Sequence, residues 1–265
     1  MKVFISADIE GIATTTTHED CRPGIASYPY HCAQMTAEVA AACEGAIKAG
    51  ATEIVIKDAH GPADNIDIKK LPKCTKVIRN WSGHPYSMCE GIDASFDAIM
   101  FVGYHGGASK SGNPLSHTVS GRPYQVRING RVASEFMIFS FCAANEGVPT
   151  VFLSGDRQLC EDYRDMHPAL VTAAVKDGFG GTTISMQPDA ACDLIREQAE
   201  KALSQKLDGM CCKLPEHFRI EVEYHHHSNA TKCSFYPGAT RINETTIGFE
   251  THHYFDAARF FKFVL

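Results

Sequence analysis

Short apolar runs alternate with helical patterns along the first two-thirds of the chain, and this alternation restricts the possible folds more than any other feature. Strands that are apolar on both faces are typical of parallel sheets covered by helices. Strands separated by helices form right-handed βαβ units. We therefore predict an α/β fold with a mostly parallel central sheet flanked by helices. The predicted strands are KVFIS (2–6), EIVIKD (53–58), TKVIRN (75–80), DAIMFVG (97–103) and PTVFLSGD (149–156), and the predicted helices span about 32–49, 134–145 and 188–207.

The pattern changes in the rest of the chain. Residues 118–132 predict a hairpin that turns at Asn129–Gly130. Residues 218–224 and 245–254 alternate apolar and polar side chains, as half-exposed strands do. Residues 255–265 predict a final helix, which either packs in the core or forms a subunit interface.

Length and composition exclude several classes of protein. We expect residues 1–265 to form one unit with a smaller α+β subdomain, and changes of pattern fall near residues 110 and 210. The net charge of −6 and the pI of about 6.1 give no electrostatic basis for binding nucleic acid or an anionic membrane. No apolar run approaches the ~20 residues of a membrane helix, and the start of the sequence lacks a signal-peptide pattern. The eleven cysteines form no C-x-x-C pair, so we expect reduced thiols and a cytoplasmic protein.

Carboxylates and imidazoles follow three of the predicted parallel strands at the point where each strand ends. Asp8 and Glu10 follow the first strand, Asp58 and His60 lie at the end of the second, and His105 follows the fourth. Ligands bind beyond the carboxyl ends of the strands in such sheets. A mixed set of Asp, Glu and His suits zinc or another transition metal better than calcium or magnesium. The sequence therefore predicts a metal site at the C-terminal edge of the sheet, with enough donors for two ions.

Each of these residues also has a structural explanation when it is taken alone. Asp8 could cap a turn, and Glu10 could be a surface acid. His60 could be a turn residue, and His105 could be satisfied by backbone groups. The segment GGASKSG (106–112) lacks the spacing of a P-loop, and no strand is followed by G-x-G-x-x-G. Only the shared position at strand ends favours a metal site.

Five short motifs occur in an order and spacing that resembles the zinc-dependent D-aminopeptidase family. They are SADIEG (6–11), DAHG (58–61), GYHGG (103–107), HT (117–118) and NGRVASE (129–135). The resemblance covers essentially the whole chain, including GVPTVFLSGD (147–156) and DLIREQAEKAL (193–203). Five ordered motifs are far more specific than any one of them.

The resemblance implies a dinuclear zinc site, with two Zn²⁺ ions per chain. The positions that match the family's ligands are Asp8, Glu10, His60, His105 and Glu135, with Asp8 bridging the ions. His117 matches the family's active-site histidine that is not a ligand. This histidine acts either as a proton shuttle, which we favour, or as a nucleophile. Without the resemblance, Glu135 would be interpreted as an acid that stabilises the start of a helix.

The resemblance also implies a reaction and an assembly. A zinc-activated water hydrolyses the bond after the N-terminal residue of a short peptide, and that residue is a D-amino acid such as D-alanine. Ring-shaped homo-oligomers are typical of the family, and we expect a decamer with active sites facing an internal channel. Residues 14–21 (TTTTHEDC) depart from the family's usual composition, and Arg157 stands where a second aspartate is common. The first departure leaves the specificity of the substrate pocket open.

Two other functions remain compatible with the sequence. The same metal edge could hydrolyse another amide or a phosphoester, with Lys110 and Arg122 as the candidates to bind a phosphate. A non-catalytic metal-binding or peptide-binding protein is the third possibility, and the intact ligand positions disfavour it. The histidines at 225–227 and 252–253 are interpreted as solvated or subunit-facing, and on a strand His225 and His227 would share one face.

Overall fold

The computed structural model describes residues 1–166, 170–207 and 209–265. The strands are β1 (Lys2–Ala7), β2 (Glu53–Asp58), β3 (Thr75–Ile78), β4 (Ala98–Tyr104), β5 (Pro123–Ile128), β6 (Arg131–Val132), β7 (Thr150–Asp156), β8 (Val171–Phe179), β9 (Thr182–Ser185), β10 (Phe218–Tyr224), β11 (Thr240–Arg241) and β12 (Thr246–Thr251). The α-helices are α1 (Tyr28–Lys48), α2 (Glu135–Asn145), α3 (Arg157–Asp162), α4 (Pro188–Leu203), α5 (His227–Cys233) and α6 (Tyr254–Val264). Within these ranges, no helix is both long and apolar enough to cross a membrane.

The larger sheet has seven strands in the order β3-β2-β1-β4-β7-β8-β9. Its neighbouring strands are parallel except β8 and β9, which form an antiparallel hairpin at one edge. Strands β4 and β7 are buried along their whole length, because helices or the second sheet cover both faces. The predicted α/β architecture with a mostly parallel sheet is therefore confirmed.

Alternate side chains of β1 enter two separate cores. Val3 and Ile5 pack in one core with apolar side chains of α1 and α4. Phe4 points to the opposite face and packs in the other core, which includes α2, α6 and the smaller sheet. This division follows from the two-residue period of a strand.

The smaller sheet is antiparallel, with the strand order β11-β12-β10-β5-β6. Its β5–β6 hairpin turns at Asn129 and Gly130, whose φ angles of 51° and 81° suit a tight hairpin turn, as predicted. The hairpin leads into α2, which begins at Glu135. The smaller sheet thereby delivers one of the predicted site residues.

Several element boundaries differ from the predictions, including the ends of β3 and β12, which stop at Ile78 and Thr251 instead of residues 80 and 254. Helix α1 begins at Tyr28 instead of near residue 32, because Pro29 fits the first turn of a helix, where its missing N–H is not needed. Helix α4 ends at Leu203, four residues early. Strand β10 spans residues 218–224, as the alternating pattern predicts, and the histidines at 225–227 lie beyond its end. Strand β10 ends at Tyr224, because its partner β12 begins at Thr246 and offers nothing further to pair with.

Close backbone packing holds the end of β1 against the end of β4. The amide of Asp8 donates to the carbonyl oxygen of Val102 at 2.9 Å, and the amide of Gly11 donates to that of Gly103 at 2.8 Å. A Cβ atom at Gly11 would lie 1.8 Å from the carbonyl oxygen of Tyr104, which is impossible without movement. Glycine at this position therefore keeps the loop that carries Asp8 and Glu10 next to the end of β4, which His105 directly follows.

We predict that Gly11→Ala destabilises the protein by about 1–3 kcal/mol or more, because the new methyl group overlaps backbone atoms that cannot move freely. Gly181→Ala is the matched control, since a Cβ there meets no atom within 4 Å. The control is expected to change the free energy of unfolding by less than about 0.5 kcal/mol. Urea unfolding of both variants measures the difference, and equal unfolding free energies would contradict the packing argument.

Candidate metal centre

Two carboxylates and two imidazoles from three loops meet at the C-terminal edge of the larger sheet. Nδ1 of His60 lies 2.8 Å from Oε2 of Glu10 and 3.4 Å from Oδ1 of Asp8. Nε2 of His105 lies 3.5 Å from Oδ2 of Asp8. Asp8, Glu10 and His105 are at most 5% exposed. The structure thus brings together four of the five residues that the strand-end pattern selected, and the fifth, Asp58, pairs with Asn65 instead.

Glu135 joins this cluster from helix α2, whose first turn is capped by the side chain of Ser134. One carboxylate oxygen, Oε2, lies 3.4 Å from Nε2 of His105. The other, Oε1, lies 3.4 Å from Nε2 of His117 and accepts a 2.7 Å hydrogen bond from the amide of Val119. All six predicted site residues therefore form one continuous cluster.

A backbone carbonyl orients each of the three imidazoles. One ring nitrogen of His60, His105 and His117 lies 2.8 to 2.9 Å from a carbonyl oxygen. Because a carbonyl oxygen can only accept, that nitrogen carries the proton and the other ring nitrogen faces the cluster. Metal-binding histidines are oriented in the same way. The carbonyl partners belong to Cys21, Gly106 and Leu115, in that order.

The donor set fits zinc. Nε2 of His105 is buried, yet it has no hydrogen-bond partner in the part of the chain that the structure describes. Such an unpaired atom costs about 1–3 kcal/mol unless something else binds it. Ligand atoms of Asp8, Glu10 and His105 lie within 4.8 Å of one another, and so do those of His105, His117 and Glu135. Imidazole and carboxylate are both zinc ligands, so these donors suit that metal.

Burial and mutual charge shift the pKa values within the cluster. Burial, together with the carboxylate of Glu10, raises the pKa of Asp8 well above its ordinary value. Burial also acts to raise the pKa of Glu10, but the His60 imidazole outweighs it and holds that pKa well below its usual range. Burial acts to lower the pKa of both imidazoles, but the nearby carboxylates outweigh it. They raise the pKa of His60 to about 12 and that of His105 to about 10.

Two further acids at the strand ends hold loops in place. Asp58 accepts hydrogen bonds of 2.6 Å from both the amide and the side chain of Asn65. Asp156 is fully buried and accepts a 2.8 Å hydrogen bond from the amide of Gly106. Asp156 therefore supports the loop that carries His105.

Sequence reasoning missed Lys176, a buried residue of β8 that is 3% exposed. Its Nζ donates to the carbonyl oxygens of Glu10 and Thr15, so it fixes the backbone of the loop that carries the two acids. Burial lowers the pKa of Lys176 to about 8. The available signal was a lysine inside the apolar run VTAAVKDG (171–178), since a lysine buried in a strand needs partners.

Two cavities meet at the cluster. The inner cleft, of about 400 Å³, is lined by four of the five predicted ligand residues, all except His105, together with His117 and neighbouring side chains. The outer cleft, of about 560 Å³, includes Lys110, Tyr124 and, from the unusual segment 14–21, His18. Glu10 and His117 line both clefts, so His117 marks the boundary between them.

The two cations considered for binding a phosphate, Lys110 and Arg122, are already paired with oxygen atoms of the protein. Nζ of Lys110 lies 2.8 Å from Oδ2 of Asp162, and Arg122 donates to the carbonyl oxygen of Leu265. The histidines at 225–227 and 252–253 are exposed, as predicted, but His225 lines the outer cleft. These contacts give no support to the phosphoester alternative.

The chain matches known proteins over almost its full length. The family model of the M55 peptidases, described as D-aminopeptidase, matches residues 1–263. A D-aminopeptidase from Bacillus subtilis (strain 168) is 27% identical over 259 residues, which cover 97% of this chain and 94% of that protein. The solved structure of the Zn-dependent D-aminopeptidase DppA from Bacillus subtilis, a self-compartmentalizing protease, has 25% identity and a TM-score of 0.93, with 100% of this chain and 96% of that chain covered. This chain therefore belongs to the M55 peptidase family of D-aminopeptidases, the family that its five ordered motifs resemble.

Proposed function

We propose that this chain is a zinc aminopeptidase that removes the N-terminal residue, a D-amino acid, from short peptides. The observation that carries this proposal is the convergence of three carboxylates and three carbonyl-oriented imidazoles at one edge of the sheet. Membership of the D-aminopeptidase family supports the reaction, and the zinc dependence of the related Bacillus subtilis enzyme supports the metal.

We assign metal binding to Asp8, Glu10, His60, His105 and Glu135, with two ions per chain. The bridging role proposed for Asp8 is supported by its two oxygens, which face different imidazoles. Oδ1 is nearer His60 and Oδ2 is nearer His105, at 3.4 and 3.5 Å. Zinc ions bound there would lower the pKa of a water molecule and polarise the substrate carbonyl.

Proton transfer is assigned to His117. Its Nδ1 donates to the carbonyl oxygen of Leu115, which leaves Nε2 to exchange protons at the boundary of the two clefts. As water adds to the substrate carbonyl and the C–N bond breaks, Nε2 accepts a proton from the water and returns it to the leaving nitrogen. Oε1 of Glu135, 3.4 Å away, stabilises the positive charge that the ring carries between these two steps.

We further propose that residues 1–265 act as one catalytic unit, because the larger sheet carries Asp8 and the smaller sheet leads into Glu135. A homo-oligomeric ring, a decamer with inward-facing sites, is supported by the self-compartmentalizing Bacillus subtilis enzyme. Helix α6 both packs in the core through Phe260 and leaves Phe263 69% exposed for a subunit contact. We expect the assembly to be cytoplasmic.

Purified, undialysed protein is predicted to contain about two zinc ions per chain, and Glu10→Gln to retain about one or fewer, because the amide is a weaker ligand than the carboxylate. Elemental analysis measures both proteins, with Glu19→Gln, at an exposed acid, as the matched control. A single zinc ion in the wild type would refute the dinuclear site alone. No zinc, even after zinc is added, would refute the whole metal assignment.

Zinc affinity is predicted to rise continuously from about pH 6 to pH 9. Both imidazole ligands must lose a proton to bind the metal, and the pKa values of His60 and His105 are raised to about 12 and about 10. Protons therefore compete with zinc more strongly as the pH falls. If the two imidazoles had the ordinary pKa of about 6.5, they would be almost fully deprotonated above about pH 7.5, and zinc affinity would stop rising there. A plateau in zinc affinity above that pH, measured in a chelator-buffered titration, therefore contradicts the raised pKa values.

Replacement of His117 by Asn is predicted to lower kcat by about 100-fold or more, with zinc content unchanged, because general acid–base transfer contributes about 10²–10⁴-fold. His227→Asn, at an exposed histidine, is the control. Steady-state hydrolysis of D-alanyl peptides and elemental analysis give the two readouts. Full turnover by the zinc-loaded variant would show that His117 transfers no proton, and a burst of released amine in the wild type would favour the nucleophile role.

A further inference from the structure

A third cavity, the rear pocket, is continuous with the inner cleft. It has a volume of about 220 Å³ and shares Ser87, Val119 and Lys262 with the inner cleft. It shares no lining residue with the outer cleft. The three cavities therefore follow one another in the order rear pocket, inner cleft, outer cleft, with the candidate metal ligands in the middle.

The rear pocket is lined mainly by apolar side chains. Ile138 and Phe139 come from α2, and Ala258 and Phe261 come from α6. All four are buried members of the same core, so the walls of the pocket are packed in place. Among the described residues, no carboxylate side chain lines it. Such a pocket binds an apolar group by removing its surface from water.

The junction between the rear pocket and the inner cleft is strained. Ser87 and Val119 have φ angles of 43° and 65°, in the left-handed region. This conformation is an outlier for a β-branched residue, and strain of this kind is concentrated at functional sites. The same turn aims the amide of Val119 at Oε1 of Glu135, 2.7 Å away. One residue thus holds a proposed ligand and forms the shared wall of the pocket.

Lys262 lies at the same junction and is exposed. It makes no ion pair within the part of the chain that the structure describes. The aliphatic stem of a lysine can cover an apolar surface while its ammonium group stays in water. A second positive charge placed in the rear pocket would be repelled by this group, whereas a neutral apolar side chain would not.

We propose that the rear pocket binds the side chain of the substrate's N-terminal residue and that it selects an apolar side chain larger than the methyl group of alanine. This inference rests on the proposed aminopeptidase function. An aminopeptidase holds one residue on the amino side of the bond it cuts, and the rear pocket is the small cavity that opens from the inner cleft, where the proposed ligands lie. His117 then lies at the leaving nitrogen, and the rest of the peptide occupies the larger outer cleft.

The test is a series of dipeptides with one constant second residue and an N-terminal D-Ala, D-Val, D-Leu, D-Met, D-Phe or D-Lys. The zinc-loaded enzyme is expected to show kcat/KM for D-Leu roughly tenfold or more above that for D-Ala, since each methylene group in an apolar pocket contributes about 10–200-fold. D-Lys is expected to fall below D-Ala. A parallel series with L-residues measures the stereochemical preference.

Two variants locate the effect. Ala258→Leu fills part of the pocket and is expected to lower kcat/KM for D-Leu by about tenfold relative to D-Ala, mainly through KM. Val119→Thr keeps the shape of the shared wall but makes it polar, and it is expected to reduce the same D-Leu to D-Ala ratio several-fold. Ala190→Leu, at an exposed alanine at the start of α4, should leave the ratio at its wild-type value. Melting temperature and zinc content show which variants are folded and loaded.

The outcomes separate this inference from the function on which it rests. Hydrolysis with a flat or falling series from D-Ala to D-Leu would overturn the rear-pocket assignment and leave the aminopeptidase intact. A wild-type preference that both folded variants retain would also overturn the assignment. If Ala258→Leu does not fold, the Val119→Thr ratio decides alone. No hydrolysis of any D- or L-peptide would overturn the proposed function itself.

Discussion

The burial of ionisable side chains at one edge of a parallel sheet is the constraint on which the rest of the structure depends. Three carboxylates and the His105 imidazole are almost completely removed from water, which is costly unless opposite charges or a metal balance them. The surrounding backbone therefore has to be fixed closely. Gly11 permits contact between the ends of β1 and β4, and Lys176 holds the carbonyl oxygen of Glu10. Val119 adopts a left-handed backbone conformation, in which its amide donates a hydrogen bond to the carboxylate of Glu135.

The sequence predicted the parts of this arrangement that depend on local pattern. Strands apolar on both faces indicated a parallel sheet, and the rule that ligands bind at the carboxyl ends of such strands selected Asp8, Glu10, Asp58, His60 and His105. The structure brings all of these side chains together except Asp58, which orders a neighbouring loop. The positions of helix ends were predicted less well, because they depend on single residues such as Pro29 at the start of α1.

The other parts of the site depend on contacts between distant segments. Glu135 lies at the start of a helix that follows the smaller sheet, so no strand-end rule could select it, and only the resemblance to a family did. Lys176 and Val119 act on the acids from segments far away in sequence. The rear pocket is lined by Ser87, Val119 and residues of helices α2 and α6. These segments come together only in the folded protein. The periodicity of apolar residues predicts helices and strands, but it does not predict which of them contact one another.

The hydrogen bond that orients His60 has a consequence for how this protein can change over evolution. Its acceptor is the carbonyl oxygen of Cys21, the last residue of the segment 14–21, and His18 of the same segment lines the outer cleft. One loop thus lines the outer cleft and sets the direction of an imidazole in the proposed metal site. A substitution that moves the backbone of this loop also turns that imidazole. Under the proposed function, substrate preference and metal affinity therefore depend on the same loop, and selection on one of them constrains the other.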